Sequence, residues 1–106
     1  INEPAAAGAF KALKAAKKDK GVTIVSVDGG CAGIKDVGAG VIAATSQQYP
    51  LKMAAMGVAA GVEYAKSGKK VSGYTDTGVT LIAAKAIAGV DSKDVKTGTD
   101  LCWGKK

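Results

Sequence analysis

Residues 22–30 have the sequence VTIVSVDGG, an apolar and largely β-branched run that ends in one aspartate and two glycines. A run of this kind, without alternating polar residues, is typical of a strand that helices cover on both faces. We therefore predict a buried strand over 22–27, with Asp28 at its carboxyl end and a sharp turn immediately after it.

Helical and extended patterns alternate on either side of this strand. Upstream, Phe10 and Leu13 belong to an apolar stripe at helical spacing, and Pro4 suits the first helical position, with Glu3 as an extended cap. The other predicted elements are a helix over 4–17, a short helix over 32–37, a strand over 41–45, a long helix over 51–67 and a strand over 79–83. The connection between the first two strands has room for a crossover helix, so parallel pairing is expected. The fold class is therefore α/β, with parallel sheet layers and flanking helices.

The length sets a further expectation. At 106 residues, the chain is one ordinary domain or a piece of a larger protein. It opens Ile1-Asn2-Glu3-Pro4, without Met, which is typical of a processed chain or a fragment. Because three short strands make a thin core for an α/β sheet, we expect the chain to be incomplete or to pair with another.

The composition excludes several classes of function. All 15 basic residues are lysine, and the chain contains neither arginine nor histidine. Arginine reads guanine edges and clamps phosphates, so no specific nucleic-acid partner is expected, although a net charge of +6 allows weak attraction to polyanions. Without histidine, neither a Ser-His-Asp nor a Cys-His site can form. We therefore expect no enzyme, metal or cofactor, and no apolar run is long enough for direct membrane insertion.

The two cysteines, Cys31 and Cys102, lie far apart and form no Cys-x-x-Cys pair, which excludes a thioredoxin-like motif and a zinc knuckle. They are either two unrelated buried thiols or a structural disulfide. The disulfide is the favoured interpretation, because the residues after 83 are rich in turn signals and would form a loose tail unless tied down. Such a bond stabilises by about 4 kcal/mol in the chain-entropy account, and it implies an oxidising compartment.

Polar side chains are predicted to converge where the strands end, which is where ligands bind in open parallel sheets. Asp28 follows the first strand, Gln47 and Gln48 follow the second, and Asn2 holds the equivalent position before the first helix. This arrangement suits a small polyhydroxyl ligand. Asn2 and Asp28 could equally cap or brace turns, and spacing alone does not decide between the two interpretations.

Three segments together resemble a known family. They are NEPAAAGA at 2–9, VSVDG at 25–29 and AATSQQYP at 43–50, in this order. Their sequence and spacing resemble the C-terminal part of the periplasmic sugar-binding proteins of ABC transporters, of the ribose/galactose-binding type. The segment DTGVTLI at 76–82 and Cys-Trp-Gly at 102–104 resemble a fructose-binding-like branch of that family.

The resemblance implies a two-lobe, type I periplasmic-binding-protein fold that encloses a monosaccharide, fructose- or ribose-like, between its lobes. Motif by motif, Asn2, Asp28 and Gln48 fall on sugar-contacting positions of the C-terminal lobe, and Gln48 is preferred over Gln47 because it lies two residues before Pro50. The implied partners are the monosaccharide, the remainder of the binding protein and the ABC transporter permease, in the periplasm.

The resemblance also divides the chain. It implies part of the C-terminal sugar-binding lobe over 1–48, a hinge crossover with elements of the other lobe over 49–83, and a return crossover with a tail over 84–106.

Two other functions remain open at this point. The effector domain of a sugar-responsive transcription regulator has the same architecture, but it would work in a reducing cytosol, so a bond between Cys31 and Cys102 would argue against it. A small α/β enzyme could use Asp28 as a base with a lysine as its partner, although no lysine in the sequence is marked for that role.

Overall fold

The computed structural model describes residues 1–105 as an α/β fold with one mixed sheet and flanking helices. Along the chain, the elements are α1 (Glu3–Ala15), β1 (Val25–Asp28), α2 (Cys31–Gly38), β2 (Ala44–Gln47), α3 (Pro50–Ser67), β3 (Thr80–Ala83), β4 (Ser92–Lys93) and α4 (Val95–Leu101). The predicted α/β class is confirmed. Asn2, and not Glu3, is the extended residue that precedes the first helix.

The strands lie in the order β1-β2-β3-β4. As predicted, β1 and β2 are parallel, with α2 as the crossover between them. However, β3 is antiparallel to β2, and β4 is parallel to β3. The chain therefore leaves the sheet along β2 and returns beside it along β3, and the predicted boundary between 83 and 84 falls at the end of a strand of this same sheet.

Helices α1, α2 and α4 pack against the sheet, and α2 contacts both of the others. The buried apolar side chains with the lowest exposure are those of Ala6, Ile34, Val37, Ile42 and Ile82. The prediction that β1 is covered on both faces is wrong for residues 1–105, because Val25 and Val27 are 55% and 44% exposed. Ser26 points the other way and is buried, as the two-residue period of a strand requires.

Strand β2 begins at Ala44, whereas the sequence predicts a start at Val41. The N–H groups of Val41 and Ile42 donate to the Asp36 carbonyl at 3.0 and 3.4 Å, so these residues finish the turn after α2 and cannot join the ladder. Ile42 instead buries its side chain completely in the core. Strand β1 begins at Val25, and not at the predicted residue 22, because its first partner in the ladder is Ala44, the first residue of β2.

The prediction of an irregular tail is also wrong. The tail contains β4 and α4, and Asp94 caps α4 by accepting a hydrogen bond from the Thr97 N–H at 2.8 Å. Gly98 lies in α4 against Ile82 and Ile34, where a Cβ atom would come within 2.8 and 3.0 Å of their side chains. The absence of a side chain at Gly98 therefore allows α4 to approach the sheet closely.

Helix α3 projects from the rest of the molecule. The structure measures 60 × 29 × 26 Å, and its radius of gyration of 17.1 Å exceeds the value of about 13 Å expected for a compact chain of this length. Within residues 1–105, no side chain of α3 is buried, and Leu51 and Val58 are 75% and 69% exposed. None of the helices described combines the length and apolarity needed to cross a bilayer.

Candidate functional site

The predicted ligand residues Asn2, Asp28 and Gln48 lie at one edge of the sheet. Asp28 is the last residue of β1, and Gln48 directly follows β2, which is parallel to β1. Asn2 forms a parallel bridge with Val27, and the Ile1 carbonyl accepts a hydrogen bond from the Val27 N–H at 3.2 Å. Residues 1–2 thus run beside β1 as a further parallel strand would, which places Asn2 next to the end of β1.

Asp28 and Gln48 are in direct contact. Gln48 Nε2 donates to Asp28 Oδ1 at 2.7 Å, and the Gln48 N–H donates to the Asp28 carbonyl at 3.0 Å. Both side chains are half-buried. Over residues 1–105, no second side chain donates to the Asp28 carboxylate, so the pair can still accept hydrogen bonds through Asp28 Oδ2 and Gln48 Oε1.

Asp28 lies between two clefts. One cleft, of about 450 Å³, lies between the starts of α1 and α2 and the C-terminal tail, and its lining includes Asn2, Asp28 and Trp103. The other, of about 320 Å³, lies between the ends of β1 and β2 and the segment 74–79, and its lining includes Asp28 and Gln48. Both volumes fall in the range of small-molecule sites, and Asp28 is the residue that the two clefts share.

The backbone at Asp28 has an unusual conformation. Its φ is +117°, a value that side-chain-bearing residues rarely adopt and that costs about 1–3 kcal/mol. The next residue, Gly29, also has a positive φ, and a Cβ atom there would overlap Gln47. Such a turn persists only where its surroundings hold it. The contacts that hold it are therefore part of the site.

Glu3 holds this turn from the inside, and the sequence analysis missed this role. It is a buried carboxylate whose Oε1 accepts hydrogen bonds from the Gly29 N–H and the Thr45 hydroxyl, both at 2.8 Å. Its Oε2 accepts from the Gly30 N–H at 3.2 Å. The carboxylate also occupies the space that a side chain at Gly33 would need. An acid in the first turn of a helix is ordinarily an exposed partner of the helix dipole, so local sequence pattern does not predict this arrangement.

Gln47 and Gln48 are adjacent but have opposite surroundings. Gln47 is fully buried, and its Nε2 donates to the carbonyls of Gly29 and Gly98, both at 3.0 Å. Its Oε1 has no partner among residues 1–105. Gln47 therefore braces the turn after β1 against α4, whereas Gln48 faces the rim beside Asp28.

The C-terminal tail holds the same turn from the outside. Cys31 and Cys102 form a disulfide with a Cα–Cα distance of 4.9 Å, as predicted. Beside it, Trp103 Nε1–H donates to the Asp28 carbonyl at 3.3 Å, and the Cys31 N–H donates to the Trp103 carbonyl at 3.0 Å. A tryptophan next to a predicted cross-link was the available signal for this contact, and the sequence analysis did not use it.

No protein-family profile matches the sequence. No curated protein matches it at a significant level.

Proposed function

We propose that this chain is part of the solute-binding component of a sugar ABC importer, of the ribose/galactose-binding type with a type I two-lobe fold. In this proposal it binds a fructose- or ribose-like monosaccharide between two lobes and presents it to the transporter permease. The observation that carries the proposal is the hydrogen-bonded pair of Asp28 and Gln48, at the same sheet edge as Asn2. These are the positions to which the resemblance assigns sugar contacts.

The chemistry of the three side chains suits a polyhydroxyl ligand. A sugar hydroxyl donates one hydrogen bond and accepts others, so its site needs both kinds of group. Asp28 supplies a charged acceptor for adjacent hydroxyls, and such charge-assisted bonds are the strong ones. Asn2 and Gln48 each offer an amide that donates through nitrogen and accepts through oxygen. Binding of this kind needs no nucleophile or general base.

The path of the chain supports a second lobe. Residues 48–79 leave the sheet after β2 and return to it at β3, and Tyr49 Oη and Thr80 Oγ1 lie 2.6 Å apart where the two paths meet. The helix in this excursion, α3, has an apolar surface that a stable protein ordinarily covers. In the proposal, α3 belongs to the other lobe, and the contact between Tyr49 and Thr80 lies at the hinge about which the lobes close.

The disulfide supports the periplasmic location in this proposal. Bonds such as Cys31–Cys102 persist in oxidising compartments, which include the periplasm. The same bond argues against the alternative of a transcription regulator's effector domain, since that protein works in a reducing cytosol.

Titration of the complete binding protein with D-fructose and D-ribose by calorimetry tests the proposal. We expect one of these sugars to bind and Asp28→Ala to weaken its binding by at least about 1.5 kcal/mol, the scale of a hydrogen bond to a charged group. Asp28→Asn, which removes the charge, should also bind the sugar more weakly than the wild type. Asp100→Ala, at an exposed position on α4, should bind it with the affinity of the wild type. Failure of both sugars to bind, or an unchanged affinity in Asp28→Ala, would contradict the assignment.

A further inference from the structure

The position of the Asp28 carboxylate depends on a turn that other parts of the chain must stabilise. Asp28 has a φ of +117°, and Gly29 follows with a φ of +70°. A residue with a side chain, such as Asp28, stays at such a φ only when neighbouring groups fix it. Glu3 fixes the two N–H groups that follow Asp28, but it makes no bond to Asp28 itself.

The Asp28 carbonyl accepts hydrogen bonds from two other places. The Gln48 N–H binds the Asp28 carbonyl from β2, and the Trp103 indole N–H binds it from the C-terminal tail. The tail also runs parallel to the turn, where Gly30 and Trp103 form a bridge and the Cys31 N–H donates to the Trp103 carbonyl. Trp103 thus contacts the turn at both of its ends.

The disulfide fixes the tail at this place. Cys102 is the residue next to Trp103, and its partner Cys31 follows the turn directly, at a sequence separation of 71. Helix α4 ends at Leu101, so Trp103 lies beyond the last helical residue. The covalent link is therefore the anchor that keeps the indole within hydrogen-bond distance of the Asp28 carbonyl.

We propose that Trp103 and the Cys31–Cys102 disulfide are positioning elements of the sugar site, which hold Asp28 in its binding conformation. This inference rests on the proposed function. Trp103 acts through the backbone of Asp28, and the disulfide acts through Trp103. Sugar affinity consequently depends on the oxidation state of the two cysteines.

The redox step on which the sugar affinity depends is a two-electron thiol–disulfide exchange. A dithiol reductant breaks the Sγ–Sγ bond and supplies two electrons and two protons, which yields two thiols, and the dithiol becomes a cyclic disulfide. Reduction removes the covalent link between the tail and α2 and leaves the backbone bond from the Cys31 N–H to the Trp103 carbonyl. The Trp103–Asp28 bond is then held only by the weaker contacts of the tail.

The test compares the complete binding protein with Trp103→Phe, which keeps an aromatic ring but lacks the indole N–H donor. We expect Trp103→Phe and the dithiol-reduced wild type each to bind the sugar about 3-fold to 10-fold more weakly, the effect of losing one hydrogen bond. The melting temperature of Trp103→Phe should stay close to that of the wild type, and reoxidation should restore affinity to the reduced protein. Lys96→Ala, at an exposed position on α4, is the matched control.

A second measurement separates this inference from the proposed function. Amide hydrogen exchange of residues 29–31, followed by NMR, reports how firmly the turn is held and requires no ligand. Faster exchange in Trp103→Phe and after reduction supports positioning of the turn, even if neither sugar binds and the proposed function fails. If the wild type binds sugar while Trp103→Phe and the reduced protein bind equally well, or if exchange at 29–31 is unchanged, the inference is overturned.

Discussion

Two carboxylates near the same turn have different roles because their surroundings differ. Glu3 is buried, and backbone N–H groups and a hydroxyl donate to both of its oxygens. Asp28 is half-buried and accepts from one side chain, Gln48. A saturated carboxylate serves the fold, whereas one with acceptor capacity left can bind a ligand. Residue type alone does not separate these two roles.

We expect Glu3→Gln to destabilise the protein by about 1.5–3 kcal/mol, the range for hydrogen bonds to a charged group. The substitution keeps the shape but turns an NH₂ group toward the N–H and hydroxyl donors that surround Glu3. Urea unfolding measures the change, and Glu63→Gln, at an exposed position on α3, should leave stability within about 0.5 kcal/mol of the wild type. An unchanged midpoint for Glu3→Gln would show that its bonds do not hold the turn.

A pH dependence follows at the start of α4. The Thr97 backbone N–H, and then the Thr97 hydroxyl, lower the pKa of Asp94 below its ordinary value of 3.8. Because the folded state favours the ionised form, this stabilisation is present above the unfolded-state pKa and is lost as the pH falls through the lower, folded-state pKa. Asp94→Asn should therefore be less stable than the wild type at pH 7, and the difference should shrink as the pH falls below 3.8 and vanish below the folded-state pKa.

Urea midpoints at pH 7 and along the acid limb measure this difference. Asp91→Asn is the control, because Asp91 is exposed and does not cap a helix. A gap between the wild type and Asp94→Asn that is the same at every pH would contradict the role of the Asp94 charge.

At the scale of elements, the sequence predicts the helices and strands whose own residues form a recognisable pattern. β1 and α2 follow from an apolar run and a crossover of sufficient length, and α3 from a long helical stretch that ends at Gly68. The sequence does not predict α4, whose residues VKTGTDL have no apolar stripe and include a glycine. This helix forms because Asp94 caps it and because Gly98 fits against the sheet, and the second cause is a tertiary contact that local pattern cannot reveal.

The same limit applies to the candidate site. The convergence of Asn2, Asp28 and Gln48 at one edge follows from the parallel order of strands, which patterns predict. The supports of that edge are long-range: Glu3 binds the turn from 26 residues away, and Trp103 from 75 residues away. Hydrogen bonds at such separations depend on the packed fold, so the residues that make them cannot be found from local pattern.

We expect Gly98→Ala to destabilise the protein by about 1–3 kcal/mol through overpacking. The added Cβ atom would come within 2.8 Å of Ile82 Cγ2 and 3.0 Å of Ile34 Cδ1, so α4 must move away from the sheet. Gly8→Ala in α1 is the matched control: it has open space, and the gain in helix propensity should stabilise by about 0.5–1 kcal/mol. Thermal unfolding compares the two, and a stabilised Gly98→Ala would show that α4 is free to shift at no cost.

At the scale of the whole molecule, residues 1–105 leave two apolar surfaces open. One is the face of β1 that carries Val25 and Val27, and the other is α3 with residues 71–79 after it. In the two-lobe protein that we propose, the remainder of the binding protein would cover this face of the sheet and surround α3.

The surface of α3 gives a test at this scale. Gly57 and Gly61 lie four residues apart and line a groove of about 490 Å³, and a Cβ atom at either position meets nothing within 4 Å. In this chain alone, Gly57→Ala and Gly61→Ala should each stabilise α3 by about 0.5–1 kcal/mol through helix propensity. In the two-lobe protein that we propose, a neighbour packed closely on the groove would have no room for the added methyl groups, so both substitutions should destabilise by about 1–3 kcal/mol.

Thermal unfolding of the two proteins with the same substitutions measures this change of sign. Gly8→Ala, on α1 and apart from α3, is the control and should stabilise both. Equal stabilisation by Gly57→Ala and Gly61→Ala in the two proteins would mean that the groove stays open to solvent. In that case α3 does not pack against a second lobe through its glycine face, and the out-and-back path of residues 48–79 requires a different explanation.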